Sequence, residues 1–340
     1  MMMQFRKMLS LLTVSALFLI GASGCSAVLE SQAQNEKNEK LDIICVSFAE
    51  YDWTKEILGE HVQDVNLIYL LENGMDLHNY QPSAKDMIRI SGCDLLIYTG
   101  GESGSWVDDM FRTEMPDTEM HVIRLMDALQ DSVKTEEYKE GMQTDFDHAH
   151  AQDHAESEIA ELEYDEHVWL SIRNAEKICD VICQNLCELD AVHAQDYQNN
   201  LKNYQTELHN LDQEFTRMTE QSSVKTLIFG DRFPFRYFMD DYGLDYYAAF
   251  TGCSSDTEAS FETIVFLAEK MNALQAEAIF KIENSSDSLA ESIISSTEQK
   301  NQKILCLNSM QSVTAQEIAD GASYLSIMQE NRDTLSEVLH

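Results

Sequence analysis

The chain alternates short, continuously apolar runs with longer stretches whose apolar residues recur at helical spacing. Apolar strands separated by helical segments are typical of βαβ units in a parallel sheet. The pattern therefore predicts an α/β fold with two lobes, each a parallel sheet flanked by helices. The predicted strands are residues 41–48, 65–71, 94–99 and 121–125 in the first lobe, and 225–229, 245–250, 277–282 and 303–307 in the second.

A long helical connection separates the two halves of this pattern. No Gly or Pro occurs from Gln143 through Phe229, and residues 172–221 follow a helical pattern that breaks at Asp190. The second helix would be roughly 45 Å long and would run along both lobes as a strut. The predicted parts are an N-terminal lobe over 41–170, a helical connection over 171–222 and a C-terminal lobe over 223–340, with a ligand cleft at the carboxyl ends of the strands.

The first residues have the composition of a targeting segment. A basic start at Arg6-Lys7 precedes an apolar run over 8–20 and small residues before Cys25, which predicts a secretory signal peptide over 1–24. The small residues before Cys25 resemble the lipobox of bacterial lipoproteins, in which the thiol is acylated. The alternative is an ordinary cleaved signal with an incidental cysteine. We expect a lipid-anchored protein on the extracellular face of the cytoplasmic membrane, with residues 25–40 as lipidated cysteine and flexible tether.

The charge balance narrows the range of partners. The chain carries 23 Lys and Arg against 60 Asp and Glu, a formal net charge of −37. A surface this acidic repels phosphate backbones, which argues against a nucleic-acid partner, and it attracts cations.

The remaining cysteines do not form a recognised metal motif. Cys179, Cys183 and Cys187 recur at helical spacing without a C-x-x-C, so a buried helical stripe is favoured over a soft-metal site. Cys253 and Cys306 lie in the same half of the chain and are candidates for a disulfide that the sequence alone does not establish.

Four potential metal ligands stand at the predicted mouths of the two lobes: His78, His167, Asp231 and Glu283. Two neutral imidazoles with two carboxylates suit a divalent transition metal such as zinc or manganese. Each residue also has a simpler interpretation. A loop histidine is commonly a surface residue, Asp231 fits the cap of a helix near Phe233, and Glu283 fits the N-terminus of a helix near Ser286.

Two sequence motifs resemble those of the zinc- and manganese-binding solute-binding lipoproteins of ABC transporters. Residues 74–82, G-M-D-L-H-N-Y-Q-P, are similar to that family's G-x-D-P-H-x-Y-E-P segment, and residues 165–170, D-E-H-V-W-L, are similar to D-P-H-V-W-L. The segment 323–331 also resembles the family's closing helix, so the resemblance covers about residues 41–340. Leu77 and Glu166 replace the prolines that usually precede the ligating histidines, which suggests less rigid loops.

The resemblance implies the ligands and the function. His78 and His167 match the first two metal ligands, Asp231 takes the third position within the segment 230–234, and Glu283 matches the fourth. We expect a monomeric, non-enzymatic binding protein that captures Zn²⁺ as transported ligand and delivers it to an ABC permease. Manganese is the alternative because two carboxylates make the site rich in oxygen, whereas zinc is favoured by the Irving–Williams order and by a histidine-rich loop.

That loop lies within the acidic stretch 135–166 and carries His148, His150 and His154 among aspartates. Imidazoles interspersed with carboxylates and without core periodicity indicate auxiliary, low-affinity metal capture that is separate from the cleft. The alternative is a solvated acidic loop with incidental histidines.

The sequence gives less support to two other functions, an extracellular metallohydrolase and an adhesive surface protein. An extracellular metallohydrolase would need an open coordination position and a general base, and the chain has no H-E-x-x-H, no G-x-S-x-G and no phosphate loop. An adhesive surface protein has no residue signature here.

Overall fold

The N-terminal lobe is built on a four-stranded parallel sheet with strand order β2-β1-β3-β4. The computed structural model describes residues 40–113, 119–143, 163–254 and 258–340. The strands of this sheet are β1 (Asp42–Cys45), β2 (Asn66–Tyr69), β3 (Leu95–Tyr98) and β4 (His121–Arg124). The helices of this lobe are α1 (Phe48–Leu58), α2 (Ala84–Ser91), α3 (Ser105–Thr113) and α4 (Leu125–Leu129).

Two helices connect the lobes, α5 (Ile172–Leu189) and α6 (Ala194–Gln221). The chain turns at Asp190, whose carboxylate accepts hydrogen bonds from the His193 ring and the Tyr197 hydroxyl, both at 2.7 Å. Helix α6 has 28 residues and is therefore about 42 Å long. Of the predicted helical stripe on α5, Cys179 and Cys183 are buried and Cys187 is half-buried.

The C-terminal lobe repeats the architecture with a parallel sheet of strand order β6-β5-β7-β8. The predicted α/β fold with two parallel sheets flanked by helices is therefore confirmed. Its strands are β5 (Thr226–Phe233), β6 (Asp245–Thr251), β7 (Ala278–Ile282) and β8 (Lys303–Leu307). Its helices are α7 (Arg236–Tyr242), α8 (Phe261–Leu274), α9 (Ser288–Ser296), α10 (Ala315–Ala319) and α11 (Tyr324–Ser336).

Large aromatic side chains from both lobes share one hydrophobic core. Trp53 of α1 packs edge-on against Tyr324 of α11 with ring centroids 5.1 Å apart. The Tyr324 hydroxyl donates to the Trp169 carbonyl at 2.8 Å, and the Tyr324 backbone N–H donates to Asp52 at 2.8 Å. These residues are almost fully buried, and α6 packs against both α1 and α11. The two lobes are thus joined by packing as well as by the chain.

Strand polarity directs several loops to one cleft. All strand pairs are parallel within each sheet, so the loops after β2, β3, β5, β6 and β7 leave from the carboxyl edges. The strand order reverses between β1 and β3 in the first sheet and between β5 and β7 in the second. The crevice at such a reversal, beyond the carboxyl ends of the strands, is the usual ligand site of an open α/β sheet. No helix within the described ranges combines the length and apolarity of a membrane span.

Candidate metal centre

His78 lies in a short 3-10 helix, Leu77–Asn79, in the loop after β2. The carboxylate of Asp76 caps this turn and accepts from the His78 backbone N–H at 3.0 Å. The ring Nδ1 lies 2.7 Å from the Ser103 hydroxyl in the loop after β3. Since Nδ1 is engaged by Ser103, Nε2 is the nitrogen that faces the cleft.

His167 is fully buried and is oriented by one carboxylate oxygen. Asp165 Oδ1 accepts from the His167 backbone N–H at 2.9 Å and from its ring Nδ1 at 2.8 Å. A carboxylate that holds Nδ1–H fixes the tautomer and leaves Nε2 as a metal donor. The two Nε2 atoms of His78 and His167 lie 3.1 Å apart, and two nitrogens of one tetrahedral zinc ion would lie about 3.3 Å apart.

A third donor comes from the C-terminal lobe. The thiol of Cys253, in the loop after β6, joins His78 and His167 in a group whose ligand atoms all lie within 4.8 Å of one another. Among the described residues this is the only such group of three or more His, Cys, Asp or Glu side chains. His78 and Cys253 also line a cavity of about 550 Å³, so an ion can reach the site from the cleft.

The loop that carries Cys253 reaches this position because Gly252 has no side chain. A β-carbon at Gly252 would lie 2.6 Å from Cε1 and 3.0 Å from Nδ1 of His167, and 3.0 Å from the Phe233 carbonyl oxygen. Contacts this short require a neighbour to move, and the carbonyl belongs to β5. Gly252 therefore allows the backbone of the second lobe to lie against the His167 ring of the first lobe.

The two predicted carboxylates lie outside this group and are held by hydrogen bonds within their own lobe. Asp231 accepts from the backbone N–H groups of Arg232 at 2.8 Å and of Ile282 at 3.0 Å. Glu283 accepts from the Ser309 backbone N–H and hydroxyl at 2.7 and 2.8 Å, and from the Gln311 backbone N–H at 3.1 Å. Both line a neighbouring cavity of about 460 Å³.

Arg232 separates the two cavities and lines both of them. Its guanidinium donates to Asp76 at 2.9 Å in a pair whose side chains are each 18% exposed. The pair links β5 of one lobe to the loop that positions His78 in the other. The segment 230–234, in which the sequence predicts a third ligand at Asp231, thus also brings the Arg232 guanidinium close to the His78 loop.

The protonation of the two imidazoles is set by their surroundings. Burial, followed by repulsion from a positive charge on His167, lowers the pKa of His78. Burial alone would also lower the pKa of His167, but the hydrogen bond and charge of Asp165, together with Glu166 and Glu136, raise it. The lowered pKa favours a neutral His78, and Asp165 holds His167 through Nδ1, so the Nε2 atom of each ring is oriented to bind a metal.

Buried carboxylates surround the thiol and the His167 ring. Cys253 donates to Glu136 from its thiol and its backbone N–H, and burial followed by the charge of Glu136 raises the pKa of the thiol. Burial also raises the pKa of Glu136 and of Glu166. Glu136 Oε1 and Glu166 Oε2 are buried without a hydrogen-bond partner in the described part of the chain. Such oxygens favour a cation nearby, which fits a divalent metal at this site.

Glu166 stands where the resembling motif has proline, yet it is fixed in place. Its Oε1 accepts from the Ser103 backbone N–H at 2.8 Å. Gly101 adopts a positive φ of +71°, and a β-carbon there would lie 2.5 Å from the Glu166 side chain. The β3 loop is thereby tied to Glu166 through the Ser103 backbone and to His78 through the Ser103 hydroxyl.

Several other sequence predictions have plain structural outcomes. The thiols of Cys253 and Cys306 are both free, so they do not form the candidate disulfide. Asp231 does not cap a helix, because α7 begins at Arg236 after Phe235. Cys25, His148, His150 and His154 lie outside the described residues. Cys253, whose thiol lies beside His78 and His167, is absent from the predicted site residues, although it lies only three residues beyond the predicted strand 245–250.

Comparison with known proteins finds relatives that are named for zinc binding and zinc uptake. The zinc-binding lipoprotein AdcA of Streptococcus pneumoniae is 27% identical over 333 residues, which cover 97% of this chain and 61% of AdcA. The high-affinity zinc uptake system protein ZnuA of Bacillus subtilis is 26% identical over 340 residues, 98% of both chains. The present chain thus spans about three fifths of the AdcA length and nearly all of the Bacillus protein.

Solved structures and a family model agree with these relatives. The crystal structure of Zn(II)-bound AdcA from Streptococcus pneumoniae matches with a TM-score of 0.68 and 25% identity over 88% of this chain and 58% of that chain. The Bacillus subtilis metal-dependent lipoprotein YcdH shares the fold with a TM-score of 0.68, at 23% identity over 88% of this chain and 99% of that chain. The model of the family described as zinc-uptake complex component A, periplasmic, matches residues 43–338. The chain therefore belongs to the ZnuA family.

Proposed function

We propose that this protein captures a zinc ion at His78 and His167 and delivers it to an ABC permease in the membrane. The observation that carries the proposal is the 3.1 Å approach of two cleft-facing Nε2 atoms from separate segments. The zinc-binding and zinc-uptake names of the AdcA and ZnuA relatives support it. The binding protein acts without catalysis, as a monomer, by closing side chains of two lobes around one ion.

The two carboxylates Asp231 and Glu283 remain proposed contributors to metal binding. A carboxylate accepts about four hydrogen bonds, so each retains lone pairs beyond the backbone donors that it already binds. Both carboxylates line the cavity next to the His78 loop. We propose that they approach the ion from that side, and that their negative charge favours cations in the cleft.

Lipid anchoring would place this capture step beside the permease. We propose that Cys25 is acylated after removal of residues 1–24 and that the tether to residue 40 leaves the folded part on the extracellular face of the cytoplasmic membrane. The AdcA relative is named a lipoprotein, which supports this location. A tethered protein meets the permease at a higher effective concentration than a free one does.

Metal titration of the mature protein tests the proposed function. We expect calorimetry on the metal-stripped residues 26–340 to detect one tight zinc site, because two oriented imidazoles and a nearby anionic lining suit zinc. Manganese should bind more weakly and be displaced by zinc. Tight manganese binding that zinc does not displace would assign manganese uptake instead, and the lack of a tight site for either metal would contradict the proposal.

The histidine-rich stretch is proposed as an auxiliary capture site. Deletion of residues 145–154, which include His148, His150 and His154, should remove weak zinc binding and leave the tight site unchanged, because the cleft ligands lie elsewhere in the chain. The same calorimetric titration measures both sets of sites. Loss of the tight site in the deletion variant would show that capture and tight binding are not separate.

A further inference from the structure

We propose that Cys253 is the third ligand of the cleft metal and the residue that selects zinc over manganese. This inference rests on the proposed function and assigns a specificity to the same site. The thiol is not isolated, because its sulfur and one nitrogen from each of His78 and His167 lie within 4.8 Å of one another. Three segments distant in sequence therefore present three donors to one point.

The position of the thiol follows from the backbone rather than from a flexible side chain. Cys253 is two residues beyond the end of β6 at Thr251, and Gly252 lies directly against the His167 ring. A tetrahedral zinc ion would hold a sulfur about 3.6 Å from each bound nitrogen. The sulfur lies within 4.8 Å of each nitrogen. An inward movement of the β6 loop by about 1 Å would therefore bring the sulfur to the distance that a shared zinc ion requires.

The chemistry of the donor set favours one metal. Thiolate is a soft ligand that binds zinc well, whereas manganese prefers carboxylate, carbonyl and water oxygens. Imidazole nitrogen and thiolate sulfur are the donors that make up most structural zinc sites. The oxygen-rich set of two histidines with Asp231 and Glu283 discriminates less between the two metals, so Cys253 accounts for specificity that the carboxylates do not.

The neighbouring groups fit a cation at this sulfur. Glu136 accepts a hydrogen bond from the Cys253 thiol and has a second oxygen, Oε1, that is buried without a partner among the described residues. Zinc binds cysteine as the thiolate, so metal binding would release the thiol proton to solvent. The guanidinium of Arg232 lines the same cavity. Its positive charge is offset by the ion pair with Asp76, so it opposes a cation at the sulfur less than a free guanidinium would.

X-ray absorption on the zinc-loaded mature chain tests the assignment directly. We expect one sulfur neighbour at about 2.3 Å together with nitrogen or oxygen neighbours near 2.0–2.1 Å. The Cys253→Ser protein should lose the sulfur neighbour, bind zinc at least about tenfold more weakly, and show a smaller preference for zinc over manganese in competition. Cys306→Ser, which changes an exposed thiol on β8, is the matched control and should behave as the unmodified protein.

A second variant separates ligand chemistry from folding. Cys253→Asp keeps an anionic donor but replaces sulfur with oxygen, so it should retain a cleft site while its zinc-to-manganese preference falls at least about tenfold. The inference is overturned if the zinc-loaded unmodified protein has a tight site without a sulfur neighbour, or if Cys253→Ser keeps both the affinity and the preference. Absence of any tight zinc site in the unmodified protein would overturn the proposed function as well.

Discussion

Replacement of His167 by alanine is expected to abolish tight zinc binding. Loss of a group that only orients a ligand costs about 10–100-fold in metal affinity, so loss of the ligand itself should cost at least about 100-fold. His78→Ala should have a similar effect because its Nε2 faces the same point at 3.1 Å. Competition with a chromophoric zinc chelator measures the dissociation constants of both variants.

An exposed histidine provides the control for this experiment. His209 on α6 has a side chain that is 61% exposed, and His209→Ala should leave the tight site unchanged. Because His167 is fully buried, thermal unfolding of each metal-free variant is recorded to show that the fold persists. Unchanged zinc affinity in folded His167→Ala protein would refute the assignment of the cleft ligands.

Replacement of Gly252 by alanine is expected to impair the site without removing any ligand. The new β-carbon would lie 2.6 Å from the His167 ring and 3.0 Å from a carbonyl oxygen of β5, so the loop that carries Cys253 must move away. Overpacking of this kind destabilises a protein by about 1–3 kcal/mol. We expect a lower melting temperature and weaker zinc binding, measured by calorimetry and chelator competition.

A second glycine distinguishes this steric effect from a general cost of added side chains. A β-carbon at Gly92 would meet its nearest neighbours at 3.8 and 4.0 Å, which is ordinary contact, and Gly92 has a negative φ. Gly92→Ala should therefore preserve both stability and zinc affinity. If Gly252→Ala matched Gly92→Ala in both measurements, the close approach of the β6 loop to His167 would have no role in the site.

The order of elements could be predicted from local sequence because both sheets are buried and parallel. Strand β8 has the predicted bounds, Lys303–Leu307, and the helical connection breaks at Asp190 as its pattern indicated. The local pattern predicts that strand β5 ends at Phe229, but the strand continues to Phe233. After a bulge, Arg232 and Phe233 pair with Phe250 and Thr251 of β6, and no local pattern contains this pairing. Helices α4 and α10 have five residues each, too few for helical periodicity to be detected.

The site was predictable only as far as its motifs extended. His78 and His167 lie in segments whose resemblance to a known family is specific, and the structure brings their rings together. The sequence suggests Cys253 only as a disulfide partner, because its position beside His167 depends on the folding of β6 against a ring 86 positions earlier in the sequence. The rule that ligands follow the carboxyl ends of strands, applied to the strand at 245–250, points to the loop that contains Cys253.

The shared core of the two lobes has a consequence for the time that an ion stays bound. Wide separation of the lobes would expose Trp53, Trp169 and Tyr324 to water and would bend α6, a helix without Gly or Pro. Hinge motions need a few residues that absorb large changes in φ and ψ. The continuous helix α6 is poorly suited to such changes, because each of them would break helical hydrogen bonds. We therefore expect the dissociation rate to be governed by small displacements of the His78 and Cys253 loops. Unaided release would then be slow, and the proposed permease would accelerate it by drawing these loops apart.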